Sequence, residues 1–233
     1  MMITHNKVPG PVNTVLLVAG IGLLASLAIA LGALLTQGHA AFNTASHGVT
    51  WGLPVAVYVF FVLTSTGLTF VASLAMVFGF KAFYPIAKRC IWLALATLVA
   101  GFATLALELG HPFRMLWAIP LNFQVKSPLL WMGVFYAAYL VLLLLKFRKV
   151  NGGDWSSTTS RRLGAWSFAT DLLASATLGA VFGMMAMRPF WYGPLMPLFF
   201  LVTACVSGGA FAILITYLAY GSQQAMPRRC ARW

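Results

Sequence analysis

LPVAVYVFFVLTSTGLTFVASLAMVFGF, residues 53–80, runs for 28 residues without a charged side chain. A helix rises about 1.5 Å per residue, so about 20 apolar residues cross the roughly 30 Å hydrocarbon core of a bilayer. This stretch reads as one membrane-crossing helix. Outward from it, five further segments meet or approach the same standard: Val15–Leu35, Cys90–Leu109, Pro128–Leu145, Leu163–Met187 and roughly Leu195–Tyr220. The first is 21 residues long, beyond the roughly 7–15 of a signal-peptide core, and Lys7 is the only basic residue before it, so it reads as a retained helix. The expected fold class is all-α, a polytopic transmembrane bundle of about six helices: a first four-helix bundle with flanking helices. The expected organisation is a tail, leading helix and outer loop over 1–50, a four-helix bundle over 51–193, and a sixth helix with a basic tail over 194–233.

Composition agrees. Hydrophobic residues make up 61% of the 233-residue chain and charged residues 8%, against about 25% charged in an ordinary soluble domain. The lipid bilayer is the expected partner. The net charge of +12 does not indicate nucleic acid, because the basic residues sit in short segments between apolar runs rather than on one basic face. Cytoplasmic loops retain an excess of Lys and Arg. Twelve of the 15 lie on the side of the N-terminus (Lys7; Lys81, Lys88 and Arg89; Lys146, Arg148, Lys149, Arg161 and Arg162; Arg228, Arg229 and Arg232), and only Arg114, Lys126 and Arg188 lie opposite. Both termini are therefore expected in the cytoplasm, with the protein in a bacterial inner membrane. Cys90, Cys205 and Cys230 form no CxxC pair, which indicates neither a disulfide framework nor an iron–sulfur cluster in this chain.

With this topology three stretches bring polar groups to the outer face. They are His39, His47 and Trp51 before the second span; Glu108, His111 and Arg114 after the third; and Asn122, Lys126 and Ser127 before the fourth. Tyr58 adds a hydroxyl about two turns into the second span. An acid, an imidazole and a guanidinium within Glu108–Arg114 can hydrogen-bond a carbonyl or hydroxyl headgroup, and the first two can exchange protons with it. That chemistry suits a quinone. The plainer reading, in which Glu108 pairs with Arg114 and His111 caps a helix end, is equally open.

Asp171 lies eight residues beyond Leu163, about 12 Å along the fifth span. It reads either as a proton-conducting group or as a neutral acid hydrogen-bonded in a helix interface, the commoner case. Ser175, Gly179 and Gly183 recur every four residues and mark a close helix contact. Thr64–Gly67 and Ser207–Gly209 read as packing and local kinks, without chemistry. Trp51, Trp117, Trp131, Trp166 and Trp191 fall near expected interfaces and read as anchors.

Several of these features, taken in order, resemble the NrfD/polysulfide-reductase family of membrane subunits. Trp51-Gly-Leu-Pro54 opens a helix with a small-residue turn at Thr64–Gly67. Leu109-Gly-His-Pro-Phe-Arg114 is similar to the family signature after the next helix, Asn122–Trp131 with Ser127-Pro128 to the segment that follows, and Arg188-Pro-Phe-Trp-Tyr-Gly193 to another outer-face turn. The resemblance covers about Trp51–Ala204. It implies a subunit without haem or cluster of its own that binds quinol, whether menaquinol or ubiquinol, near the outer face. It also implies a partner ferredoxin-like iron–sulfur subunit and, beyond that, a molybdopterin or cytochrome subunit. The positions that match are Tyr58, Glu108, His111 and Arg114, with Thr177 deeper on the fifth span; Tyr58 stands where some members carry histidine. Members usually have eight or more helices in two four-helix bundles, so six is the count of a shortened member.

Two other functions compete. A di-haem cytochrome b anchor needs axial histidines inside the helices, whereas His5, His39, His47 and His111 all lie outside or at the ends of the spans. A redox-independent transporter or scaffold is supported only by Asp171 and the glycine-rich sixth span, and no inverted repeat accompanies them.

Overall fold

The computed structural model describes residues 10–41, 52–109, 117, 121, 124–155, 157–186 and 188–220. Among them, six helices are long and apolar enough to cross a membrane, and there is no strand. They are α1 (Gly10–Gln37), α2 (Leu53–Met76), α3 (Tyr84–Glu108), α4 (Pro128–Asn151), α5 (Thr158–Gly183) and α6 (Met196–Tyr220). The protein is a multi-pass, all-helical membrane protein.

Local sequence sets the helix ends. Pro54, Pro85 and Pro128 sit in the first two positions of α2, α3 and α4, where a missing N–H costs nothing and φ is preset. Ser157 caps α5, its hydroxyl accepting from the Ser160 N–H at 3.1 Å. After α2 the chain reverses through Gly79 at φ 75°, with the Phe80 N–H donating to the Leu74 carbonyl at 2.9 Å. That left-handed position favours glycine.

α2 is the centre of the bundle. It packs against α3 on one side and α6 on another, with α5 between, while α4 closes the interior against α5 and α3. α6 belongs to the same packed unit as α2 and α5. The α2–α6 crossing is a backbone contact: a Cβ on Gly67 would overlap the Ala204 carbonyl, and one on Gly208 would overlap Gly67. The expected Gly179–Gly183 contact is also present. Added Cβ atoms there would meet Pro197 Cα at 2.6 Å and the Gly193 carbonyl at 2.6 Å, so this face receives the start of α6 and the turn before it.

Helix boundaries differ from the sequence reading in ways that matter. α4 continues to Asn151 rather than stopping at Leu145, and α5 begins at Thr158 rather than Leu163. Two consequences follow. Asp171 lies about 20 Å along α5, at its midpoint rather than one side of it. Lys146, counted above among the residues of a basic loop, is fully buried inside the bundle.

The interior inverts the soluble-protein pattern. The buried stripe of α5 carries Ser160, Ser167, Asp171 and Ser175, while Trp166, Leu172 and Leu173 face outward. Where lipid is the solvent, apolar side chains gain nothing by facing in, and small or hydrogen-bonding residues take the helix contacts.

Candidate functional site

Two helices, α2 and α5, build one buried polar cluster around Thr66 of α2. Its hydroxyl lies 2.8 Å from Asp171 Oδ1, 2.8 Å from Ser175 Oγ and 3.1 Å from the Val62 carbonyl. One hydroxyl proton serves two acceptors here, so Thr66 donates to Asp171 or to Val62 while Ser175 donates to it. A second group lies beside the first. Tyr139 of α4 places its hydroxyl 2.9 Å from Ser65 Oγ and 2.7 Å from Thr69 Oγ1, and Ser65 donates to the Ala94 carbonyl of α3 at 2.8 Å. All six side chains are fully buried.

Spacing explains the convergence. Tyr58, Ser65 and Thr69 are separated by seven and four residues, one face of α2, and Thr66 borders that face. Tyr136, Tyr139, Leu143, Lys146 and Val150 follow steps of three and four along α4 and form its buried stripe. That periodicity, visible in the sequence, is the signal that Lys146 belongs inside. Ser65 and Thr66, read above as packing alone, are central members of the cluster.

Magnitudes bear on why the cluster exists. An ionisable side chain at a bilayer centre costs about 2.5–3.5 kcal/mol on insertion scales. An interhelical hydrogen bond in a membrane protein returns about 0.6 kcal/mol, at most about 1.7. The Thr66 bond therefore does not offset the placement of Asp171, and stability alone does not account for it.

The remaining sequence candidates separate. Tyr58 is buried at 3% exposure near the start of α2, stacked on Phe102 with ring centroids 6.4 Å apart, and Phe102 meets Tyr136 edge-on at 6.0 Å. Counting from Thr66, Tyr58 lies about 12 Å nearer the end of the bundle where α3 finishes. Glu108 is the last residue of α3 at that same end; its side chain, and all of His111 and Arg114, lie outside the described residues. Thr177 does not join the cluster. Its hydroxyl donates to its own helix, 2.8 Å from both the Leu173 and Ala174 carbonyls, and it is half-buried on another face of α5.

An apolar groove of about 590 Å³ opens at the Tyr58 end, lined by Val55, Ala56 and Val59 of α2, Phe182 of α5, Trp191, and Phe200 of α6. Four separate segments form it, so no spacing in the sequence announces it. Its size lies within the range of small-molecule sites.

The opposite end carries the charge. Asp154, in the turn between α4 and α5, pairs with Lys149 at 3.3 Å and accepts the Ser157 hydroxyl at 2.8 Å. The Ser157 hydroxyl first, then the Ser157 N–H and Lys149, hold the Asp154 carboxyl below its ordinary value.

Against known proteins, the family model described as "Polysulphide reductase, NrfD" matches residues 41–229. The chain is similar to a selenate reductase subunit from Mesobacillus selenatarsenatis, 25% identical with 74% of this chain and 49% of that protein covered. It is similar to the Hdr-like menaquinol oxidoreductase integral membrane subunit of Archaeoglobus fulgidus, 26% identical with 76% and 44% covered. It also resembles the protein NrfD of Escherichia coli, 23% identical with 71% and 59% covered. The chain spans about half the length of the curated relatives it matches. No solved structure gives a significant match.

Proposed function

Since the chain belongs to the NrfD polysulphide reductase family, we propose that it is the membrane subunit of a respiratory redox complex, exchanging electrons and protons between membrane quinone and a partner iron–sulfur subunit. The family match over residues 41–229 carries this reading. A relative named as a menaquinol oxidoreductase subunit supports it, as do relatives named as subunits of selenate and dimethyl sulfoxide reductases.

Quinol oxidation releases two electrons and two protons, and quinone reduction takes up both. The site needs an apolar slot for the tail, hydrogen-bonding groups for the two oxygens, and a route for protons. The groove beside Val55, Val59 and Phe182 meets the first need. Tyr58, Glu108, His111 and Arg114 are assigned the second. Asp171, with Thr66 and Ser175, is assigned to proton handling, since its hydroxyl neighbours can re-form bonds by rotation. Thr177 is left without a role in this proposal, because its hydroxyl is committed to its own helix. The electrons pass to or from the partner's cluster at the Tyr58 end. Basic residues at the other end support assigning that end, with both termini, to the cytoplasmic side of a bacterial inner membrane.

A photoreactive quinone tests the placement. In membranes holding the chain with its partners, labelled peptides are expected from residues 52–63 and 108–114, with competition by unmodified quinol. Labelling confined to the basic end would overturn the assignment.

A further inference from the structure

Besides Tyr136 Oη of α4, three buried polar atoms on two packed helices have no hydrogen-bond partner among the described residues: Lys146 Nζ of α4, and Ser167 Oγ and Asp171 Oδ2 of α5. These last three residues are at 0% exposure. Ser167 and Asp171 are one turn apart on the inward stripe, with Ser167 nearer the basic end. Helical side chains lean toward the N-terminus of their own helix. Because α4 runs toward the basic end, Lys146 leans back into the bundle, and its charge acts on Asp171. Yet the two form no ion pair; among the described residues the only one is Lys149–Asp154.

A buried ammonium and a buried carboxylate that stop short of contact, with a hydroxyl between their levels, are the setting for bound water, which needs two to four polar partners. We propose that Lys146 is the proton-exchange partner of Asp171, joined to it through water that Ser167 helps to hold, and that the pair connects Asp171 to the basic end of the bundle. The proposal rests on the proton role given to Asp171 above. In the step, the Lys146 ammonium gives a proton to the bridging water as that water gives one to the Asp171 carboxylate. A neutral amine and a neutral carboxylic acid result. The charged pair and the neutral pair both sum to zero, so the transfer moves no net charge into the low-dielectric interior. The amine then regains a proton from the basic end, about 8 Å away along α4. The other titratable groups facing the pair are Cys90 of α3, on Lys146, and Tyr136 and Tyr139 of α4, on Asp171.

Arginine separates this from a static counter-charge, because it keeps the positive charge but does not release its proton. The readout is hydrogen–deuterium exchange at the Asp171 carboxyl, followed by infrared spectroscopy in the resting complex at a pH where that carboxyl is protonated. Asp171→Asn identifies the band. Exchange is expected to slow about 10²-fold in both Lys146→Arg and Lys146→Met, the scale of a positioned proton carrier. Wild-type exchange in Lys146→Arg would overturn the proposal and leave Lys146 a fixed charge. The measurement needs no turnover. Failed quinone labelling with slowed exchange would sink the quinone reading alone, and intact labelling with unchanged exchange would sink only this one.

Discussion

α1 and α2 are both long apolar helices of comparable hydropathy, yet none of the hydrophobic window of α1 is buried, whereas 61% of that of α2 is. Overall hydropathy therefore does not decide which helix becomes the centre. α2 carries Thr64, Ser65, Thr66, Gly67, Thr69 and Ser73 within three turns, all fully buried or at a helix crossing. α1 spreads its few hydroxyls, and Ser26 and Thr36 bond only to their own backbone. In a bilayer, small and hydrogen-bonding side chains select the interior, because apolar ones are equally well placed against lipid.

The largest test of that difference is Gly67→Leu against Gly22→Leu. Gly67 lies on the backbone of α6, whereas nothing lies within 4 Å of a Cβ at Gly22. Gly67→Leu is expected to cost more than about 3 kcal/mol, the upper range of overpacking, and to abolish a monodisperse folded subunit in detergent. Gly22→Leu should leave thermal stability unchanged; equal effects would erase the comparison.

Thr66→Val removes the partner of Asp171 Oδ1 while keeping the shape of the side chain. A loss of about 1–3 kcal/mol is expected, because a buried acceptor is left unpaired; it is measurable as a lower thermal midpoint. Tyr139→Phe sharpens the same point on the neighbouring group. It removes the hydroxyl shared by Ser65 and Thr69, for an expected loss of about 1 kcal/mol. If neither substitution moves the midpoint, the polar core contributes nothing to cohesion.

The smallest effect is expected at the surface. Asp154 is held below its ordinary value, so its contribution is complete above the usual carboxylate range near pH 4. It is lost as pH falls through the depressed value. Asp154→Asn should therefore flatten a shallow stability decline below about pH 4 and lower the midpoint slightly at pH 7, where the contribution is complete, as read by acid titration of the thermal midpoint.

The six spans were legible because long apolar runs with almost no charge have one common explanation. The interior was less so. Lys146 was read as loop charge since positive residues cluster at that end, although its steps of three and four from Tyr139 and Leu143 place it inward. Ser65 and Thr66 are residue types that serve packing and chemistry alike, and only their meeting with Tyr139 and Asp171 distinguishes the two. Asp171 stood out alone because an acid in mid-span is costly wherever it lies. His111 and Arg114 lie outside the described residues, so their role still rests on the sequence reading.

The central claim is that quinone is handled at the Tyr58 end of the bundle. Its most direct test is quinol-linked electron transfer in membranes containing the chain with its partner subunits, comparing wild type with Tyr58→Phe, Glu108→Ala and His111→Ala combined. The account predicts that turnover falls at least about 10²-fold while the subunit remains assembled, the scale of losing acid–base and orienting groups together. Unchanged turnover in the triple variant would contradict it.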